Sequence, residues 1–313
     1  MTLTLNERVH IERCIKSSQR FAKQVFVVDS GSTDGTQEIA QSLGAHVTFH
    51  AWENNYARQL NWGIDNLPID ADWILRLDAD EWVSEELAQE LNEKLDKLPP
   101  EITGVILPRR QYSFGKWLKW GMCYPIYTMR IWRRGHGRCE ERWMDEHMVL
   151  FDGTTVTFDH DFADENLKPL AWWTTKQANY AVREAADMIL SRENEARYER
   201  ERPEDPSSRR KRWAKVYLYR KVPPFLRPLG FFVYRYFIRL GFLDGVPGLL
   251  WHVLQAFWYR FLVDAVVYDV ERRARETGMT PVDVIEKVYG LKLSLSANAA
   301  PALATPAAKP EGK

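Results

Sequence analysis

The chain has 313 residues, of which 45% are apolar and 27% charged, enough to fold around a core and too apolar for a disordered chain. Lys+Arg and Asp+Glu are both 43, a formal charge of zero. This excludes a globally basic nucleic-acid coat and an acidic solvating protein, while leaving local patches open. Cys14, Cys123 and Cys139 show no ligand spacing, which argues against a disulfide framework or a zinc cage and fits a reducing compartment. The first ten residues lack the basic-then-apolar pattern of a secretory signal. No stretch reaches the ~18 uncharged apolar residues of a bilayer span.

In chain order, strand and helix signals alternate over the first hundred residues. Thr2–Leu5 is a short β-like run, and Val9, Ile11, Cys14 and Ile15 fall at helical spacing. Val25–Val28 has the apolar continuity of a strand buried in a parallel sheet. It ends in Asp29 and a small-residue loop through Gly35, followed by a helix carrying Ile39, Ala40 and Leu43, with Gly44 as its C-cap. Ala45–His50 reads as a strand, Asn54–Asp65 as a helix and Trp73–Leu77 as a buried strand. Ser84 caps a further helix that Pro99-Pro100 stops. This order predicts a parallel, doubly wound sheet, in which ligands bind beyond the carboxyl ends of the strands. From Gly104 to about Asp161 the pattern changes to short strands, predicted to complete the sheet in partly antiparallel fashion. Lys168–Arg197 is predicted helical, and 201–208 is a proline-containing linker.

Asp29 and Asp78 each stand at a predicted strand end. Asp78-Ala79-Asp80 places two carboxylates at i and i+2 on a loop, the hard-oxygen donor set that Mg²⁺ or Mn²⁺ shares with substrate phosphates. A solvated helix N-terminus would present the same acids. Asp29 can accept hydrogen bonds from a base or ribose, and the Ser30–Gly35 loop lets a ligand approach the backbone. An ordinary βα loop is the plainer reading.

Thr4-Leu5-Asn6-Glu7, the block Val27–Thr36 and Leu77-Asp78-Ala79-Asp80-Glu81 occur in this order and spacing. Over about residues 1–165 this pattern resembles the family 2 inverting glycosyltransferases with the GT-A fold, in the branch that builds bacterial lipopolysaccharide core or exopolysaccharide. The resemblance implies an α/β, Rossmann-like mixed sheet flanked by helices. Asp29 and Ser30 would then lie against the nucleotide base, Asn6 and Glu7 beside the nucleotide and ribose, and Arg58 near the sugar-nucleotide. Asp78 and Asp80 would hold Mg²⁺ or Mn²⁺. The resemblance also implies direct displacement at the anomeric carbon, with a carboxylate taking the acceptor proton. Glu146 is the favoured base and Asp145 the alternative. His160 is either a third metal ligand or structural. Arg130, Arg133 and Arg134 could neutralise diphosphate charge or form a solvated strand face.

The second half differs in composition. Ten Lys/Arg and no acid lie between Pro206 and Leu243, interleaved with aromatics, and a long apolar helix is predicted over Leu249–Glu276. Basic residues near headgroups with aromatics at the acyl boundary suit an anionic membrane surface, expected to be met by residues 209–276. Packing of these aromatics on the catalytic domain is the alternative; nucleic acid is not an expected partner. The expected organisation is a catalytic domain at 1–165, a connecting helix at 166–200, a basic aromatic helical extension at 201–291 and a disordered tail at 292–313. The expected activity is transfer of a sugar from a nucleotide-sugar, a UDP-sugar above all, to a lipid-linked or polysaccharide hydroxyl, on the inner face of the cytoplasmic membrane. A non-catalytic glycan- or lipid-binding scaffold and a sugar nucleotidyltransferase are the competing readings.

Overall fold

In a computed structural model, the structure describes residues 1–53, 55–140, 147–193 and 222–291. Strand β2 (Phe26–Asp29) is buried along its whole length and forms the middle of a three-stranded parallel sheet. Its neighbours are β1 (Thr2–Thr4) and β3 (His46–Phe49). Helix α1 (Arg8–Ser18) lays Ile11 and Ile15 against Val25 and Val27 of this sheet and Ala40 of α2 (Thr36–Ser42). Burying such side chains contributes roughly 1.5–3 kcal/mol each. Helix α3 (Tyr56–Asn66) begins where the Asn55 side chain accepts a hydrogen bond from the Arg58 amide, 2.9 Å away.

The next strand, β4 (Trp73–Leu75), does not extend the parallel sheet by a regular ladder. It pairs antiparallel with β8 (Ile126–Arg133), in a seven-stranded mixed sheet. The long β6 (Ile102–Ser113) is the spine of that sheet, pairing with β8, β7 (Lys116–Leu118), β11 (Thr154–Thr157) and β12 (Phe162–Asp164). Strand β12 also pairs antiparallel with β5 (Glu81–Val83), setting Asp164 opposite Glu81. The two sheets meet at a seam, where Met1 N donates to Leu75 O at 2.7 Å and Leu77 N donates to Met1 O at 3.2 Å. The parallel expectation therefore holds for β1 to β3, and the sheet is completed in partly antiparallel fashion, beginning already at β4, while β11 and β12 pair parallel with β6. Helix α4 (Glu85–Lys94), capped by Ser84, presses Leu87 and Leu91 onto Val105, Leu107 and Phe162. A short hairpin, β9 (Gly137–Cys139) with β10 (Met148–Leu150), projects beside α3. There Asn61 bonds the Cys139 backbone in both directions.

The C-terminal half is helical. Helix α5 (Leu170–Glu193) packs Ala181, Ala185 and Ala186 against Val263 and Val267 of α8 (Tyr259–Thr277), and α9 (Pro281–Val288) closes the cluster with Val284 and Ile285. Small residues at the contact let the helices approach closely. Before α8 come α6 (Leu226–Val233) and α7 (Gly245–Trp251), continued by π-helical turns at Tyr234–Ile238 and His252–Trp258. Helix α5 is more than a connector, because it shares a core with the C-terminal helices. The basic residues of the extension are also partly consumed inside the protein: Arg227 is buried on Asp264, and Arg235 donates to Gly121 O at 2.7 Å. The linker and most of the basic run, at 194–221, and the tail at 292–313 lie outside the described residues.

Buried Asp244 docks this helical half on the sheet, accepting from the Lys119 and Trp120 amides at 3.0 and 2.9 Å. Asp244→Ala removes both acceptors at once. It is expected to cost about 2–3 kcal/mol in urea denaturation and to admit protease near residues 239–246.

Candidate active site

The carboxyl ends of β1, β2 and β4 and the start of α5 enclose a cleft of about 980 Å³. Its floor is the loop after β4. Asp78 and Asp80 both open onto it, with Glu7, Ser30, Tyr56 and Asp164. The sequence shapes this loop through Glu81. Its buried carboxylate accepts the Asp78 amide at 2.9 Å and pairs with the buried Arg130 guanidinium. Burial pushes the Glu81 carboxyl up against the pull of Arg130.

Asp78 receives the Tyr56 hydroxyl on Oδ1 at 2.5 Å, and its Oδ2 stands 3.6 Å from both Arg76 and Arg130. Burial opposes its charge, but the two guanidinium groups hold its carboxyl well below the usual carboxylate range. Asp80 is the opposite case. Burial and the neighbouring Asp164 push its carboxyl up to about 6. Asp164 reaches it because the β5–β12 ladder continues into a hydrogen bond from Glu165 N to Asp80 O at 3.1 Å.

The facing wall comes from α5 and the turn before it. Lys168 Nζ donates to Glu7 Oε1 at 2.7 Å and lies 4.0 Å from the Trp172 ring centroid. Glu7 is held below its ordinary value: burial opposes this, while His10 and Lys168 bring it about. Lys176 stands between Trp172 and Tyr180, 5.2 and 5.6 Å from their ring centroids. Burial works against its charge, yet Tyr180, Asp80 and Glu7 hold its pKa above the ordinary lysine value. The cleft thus has an acidic floor and a cationic, aromatic wall.

The expected site residues divide. Glu7, Ser30, Asp78 and Asp80 come together in the cleft. Asp29 is fully buried, and its oxygens accept from Thr4, Gly31, Ser32 and Gln37. These bonds lower its pKa despite burial. It therefore shapes the Ser30–Gly35 loop rather than offering a free acceptor to a base. Asn6, at φ 57°, does the same from the other side, its Oδ1 accepting the Thr33 amide at 2.8 Å and its backbone amide donating to Ser32 Oγ at 2.8 Å. Arg58 is part-buried in the first turn of α3, two residues after Tyr56. His160 departs from the metal-ligand expectation: its Nδ1 lies 2.9 Å from buried Glu90 on α4, which also accepts the His160 amide. The β12 crossover carries it to that side of the sheet, away from Asp78 and Asp80. Arg133 donates to the Ile102 and Leu98 carbonyls and Arg134 to Ala71 O, so both brace loops. Asp145 and Glu146 lie outside the described residues, between β9 and β10 in the chain; these two strands are bridged at that end by Glu140 N donating to His147 O at 2.9 Å.

Tyr56, Asp164, Lys168 and Lys176 were not foreseen. Tyr56 opens α3, in a segment that reads as a helix from the sequence, two residues before Arg58. The other three depend on long-range pairing that no local pattern announces.

Among the described residues no three His, Cys, Asp or Glu side chains form a ready cation cage. The pair Asp78 and Asp80 nonetheless suits a hard divalent ion, which binds through one or two carboxylates and completes its shell with water and phosphate oxygens. The surplus negative charge that raises Asp80 is what such an ion would neutralise.

The model of the family described as glycosyl transferase family 2 matches residues 1–164. An uncharacterized glycosyltransferase of Rickettsia bellii (strain RML369-C) is 45% identical over 89 residues, covering 28% of this chain and 29% of that protein. The lipopolysaccharide core biosynthesis glycosyltransferase LpsC of Rhizobium meliloti (strain 1021) is 33% identical over 141 residues, 44% of this chain and 50% of LpsC. The chain thus matches between about a third and half the length of these relatives. Among solved structures, Mycobacterium tuberculosis glucosyl-3-phosphoglycerate synthase with Mn²⁺, UDP and glucosyl-3-phosphoglycerate gives a TM-score of 0.38 at 14% identity, over 59% of this chain and 77% of that one. S. aureus TarS 1–349 gives 0.40 at 12% identity, over 89% and 90%.

The raised carboxyl of Asp80 has a sign that stability can read. Between about pH 4 and pH 6 the folded state retains a proton that the unfolded state releases, so stability falls as pH rises through this window. Asp80→Asn is expected to flatten that slope and to gain on the order of 1 kcal/mol at pH 7. Thermal melts at pH 4.5, 5.5 and 7 check this. In the wild type alone, Mn²⁺ at pH 7 should raise the melting temperature.

Proposed function

Because this chain belongs to glycosyl transferase family 2, we propose that it transfers a sugar from a nucleotide-sugar, a UDP-sugar by preference, to a hydroxyl of a lipid-linked or polysaccharide acceptor. What supports this reading most is the single cleft in which Asp78 and Asp80 face the cations of α5. The relationship to LpsC supports an acceptor of the lipopolysaccharide type. With it goes a place on the inner face of the cytoplasmic membrane, met in part through the basic residues of 209–276.

When bound on Asp78 and Asp80, Mg²⁺ or Mn²⁺ supplies positive charge to the donor's diphosphate. The chain's own residues do the rest. Tyr56, Arg76 and Arg130 keep Asp78 ionised and fixed in direction. Lys176 presents an ammonium to the charge that develops on the departing nucleoside diphosphate, in a cleft where that charge is poorly screened. Trp172 and Tyr180 hold this ammonium between them. The acceptor oxygen forms its bond to the anomeric carbon from the side opposite the diphosphate. The bond to the phosphate oxygen breaks with inversion, and Glu146, or failing it Asp145, takes the hydroxyl proton.

Turnover of a panel of UDP-, GDP- and dTDP-sugars with Mn²⁺ tests the reading. Asp80→Ala is expected to abolish metal-dependent turnover; a variant as active as the wild type would remove Asp80 from the site. Lys176→Ala should lower kcat/KM about tenfold or more, the worth of one charge-assisted contact. Lys176→Arg should keep most of the activity.

A further inference from the structure

The helices Leu226–Ile238 and Gly241–Thr277 meet at 70°, and among the described residues no single helix is long and apolar enough to cross a membrane. Each arm nevertheless carries an exposed apolar stripe at helical spacing. On the first it runs Leu226, Leu229, Val233 and Phe237, and on the second Leu243, Val246, Leu249 and Val253. Exposure is greatest near the bend, where Ile238 is 66% and Val246 67% exposed. Trp120 and Met122 are exposed beside it, on a loop tied to the bend by Gly121 N donating to Arg239 O at 2.9 Å. Soluble surfaces rarely leave so many large apolar side chains together without a partner.

Charge says which partner. Asp244 is the only carboxylate between Pro206 and Val263, and it is buried on the Lys119 and Trp120 amides. The exposed stripes therefore carry no negative charge, Arg239 is exposed at the bend, and the chain leading into the first arm holds seven Lys/Arg from Arg209 to Lys221 with no acid. Two copies meeting through this face would bring like charges together. A layer of anionic headgroups over acyl chains complements both the cations and the apolar stripes. We propose that the bend is a wedge that enters one leaflet of a phospholipid bilayer, with Ile238, Phe242 and Val246 immersed at the acyl boundary. Apolar immersion carries the anchoring, because Arg227 and Arg235 are bonded inside the protein. The second arm also lines the cleft with Trp251 and Gln255. The same helix that enters the leaflet therefore borders the place where a lipid-linked acceptor would receive sugar.

This deepens the membrane part of the function proposed above, and its test needs neither donor nor acceptor. The full chain is floated with phosphatidylcholine vesicles and with vesicles that also contain phosphatidylglycerol, at low and high salt. Binding to both is expected, stronger with phosphatidylglycerol at low salt and persisting on both at high salt. Ile238→Asp and Val246→Asp are each expected to lower the bound fraction about tenfold or more, with melting temperatures unchanged. An environment-sensitive fluorophore on Ile238→Cys should shift to the blue when vesicles are added. Absence of flotation with either vesicle, or aspartate variants that float like the wild type, would overturn the wedge. So would a wild-type dimer in sedimentation velocity that Ile238→Asp returns to monomer, since a second copy would then own the face. Any of these results leaves the transfer chemistry to stand or fall by the turnover assay.

Discussion

The buried pair of Glu81 and Arg130 is the constraint on which the site rests. One carboxylate takes a guanidinium from β8 and the backbone amide of Asp78, and so ties the loop after β4 to two strands at once. Burying such a pair costs desolvation that its attraction only partly offsets. What the arrangement secures is a single geometry. With the loop fixed, Arg130 also stands 3.6 Å from Asp78, matched on the other side by Arg76. Asp78 is thereby kept charged, while at Asp80, two residues on, burial and the neighbouring Asp164 outweigh the pull of Lys176. Two carboxylates on one short loop acquire opposite electrostatic characters because the strands around them deliver cations to one and an acid to the other.

The charge missing at Asp80 faces a wall supplied by the other half of the chain. Helix α5 follows the last residue matched by the family model, yet Lys176 and the aromatic rings around it close the cleft, and Lys168 reaches back to Glu7. The helix is held there by its alanine contact with α8. Disturbing the C-terminal helices therefore disturbs the cationic wall. The helical half is part of the cleft as much as it is an appendage to it, and the arm that runs from the exposed bend to Trp251 joins surface and cleft in one element.

The small-residue loop after β2 is held in shape by its own polar residues. Asp29, Asn6 and Ser32 bond one another and the surrounding amides, leaving Ser30 and the backbone to border the cleft. A carboxylate at a strand end is available to a ligand only if its own loop does not saturate it. Here the Gly31 and Ser32 amides, 2.9 and 2.8 Å away, already occupy Asp29 Oδ2.

Local chemistry alone determined much of this protein. The apolar runs at β2 and β4, the caps at Ser84 and Gly44, and the placing of Asp78-Ala79-Asp80 just past a strand follow from periodicity, propensity and turn chemistry within a few residues, and the three ordered motifs carried the family. Tertiary structure alone decided the rest. It paired β4 with β8 instead of adding it to the parallel sheet, sent His160 to Glu90, engaged Arg227 and Arg235 inside the fold, and brought Asp164 and Lys176 to the acids of the loop. Each of these depends on contacts between residues far apart in the chain. Their energies come from burial and from charges a few ångströms apart, and a linear sequence does not say which charges will meet.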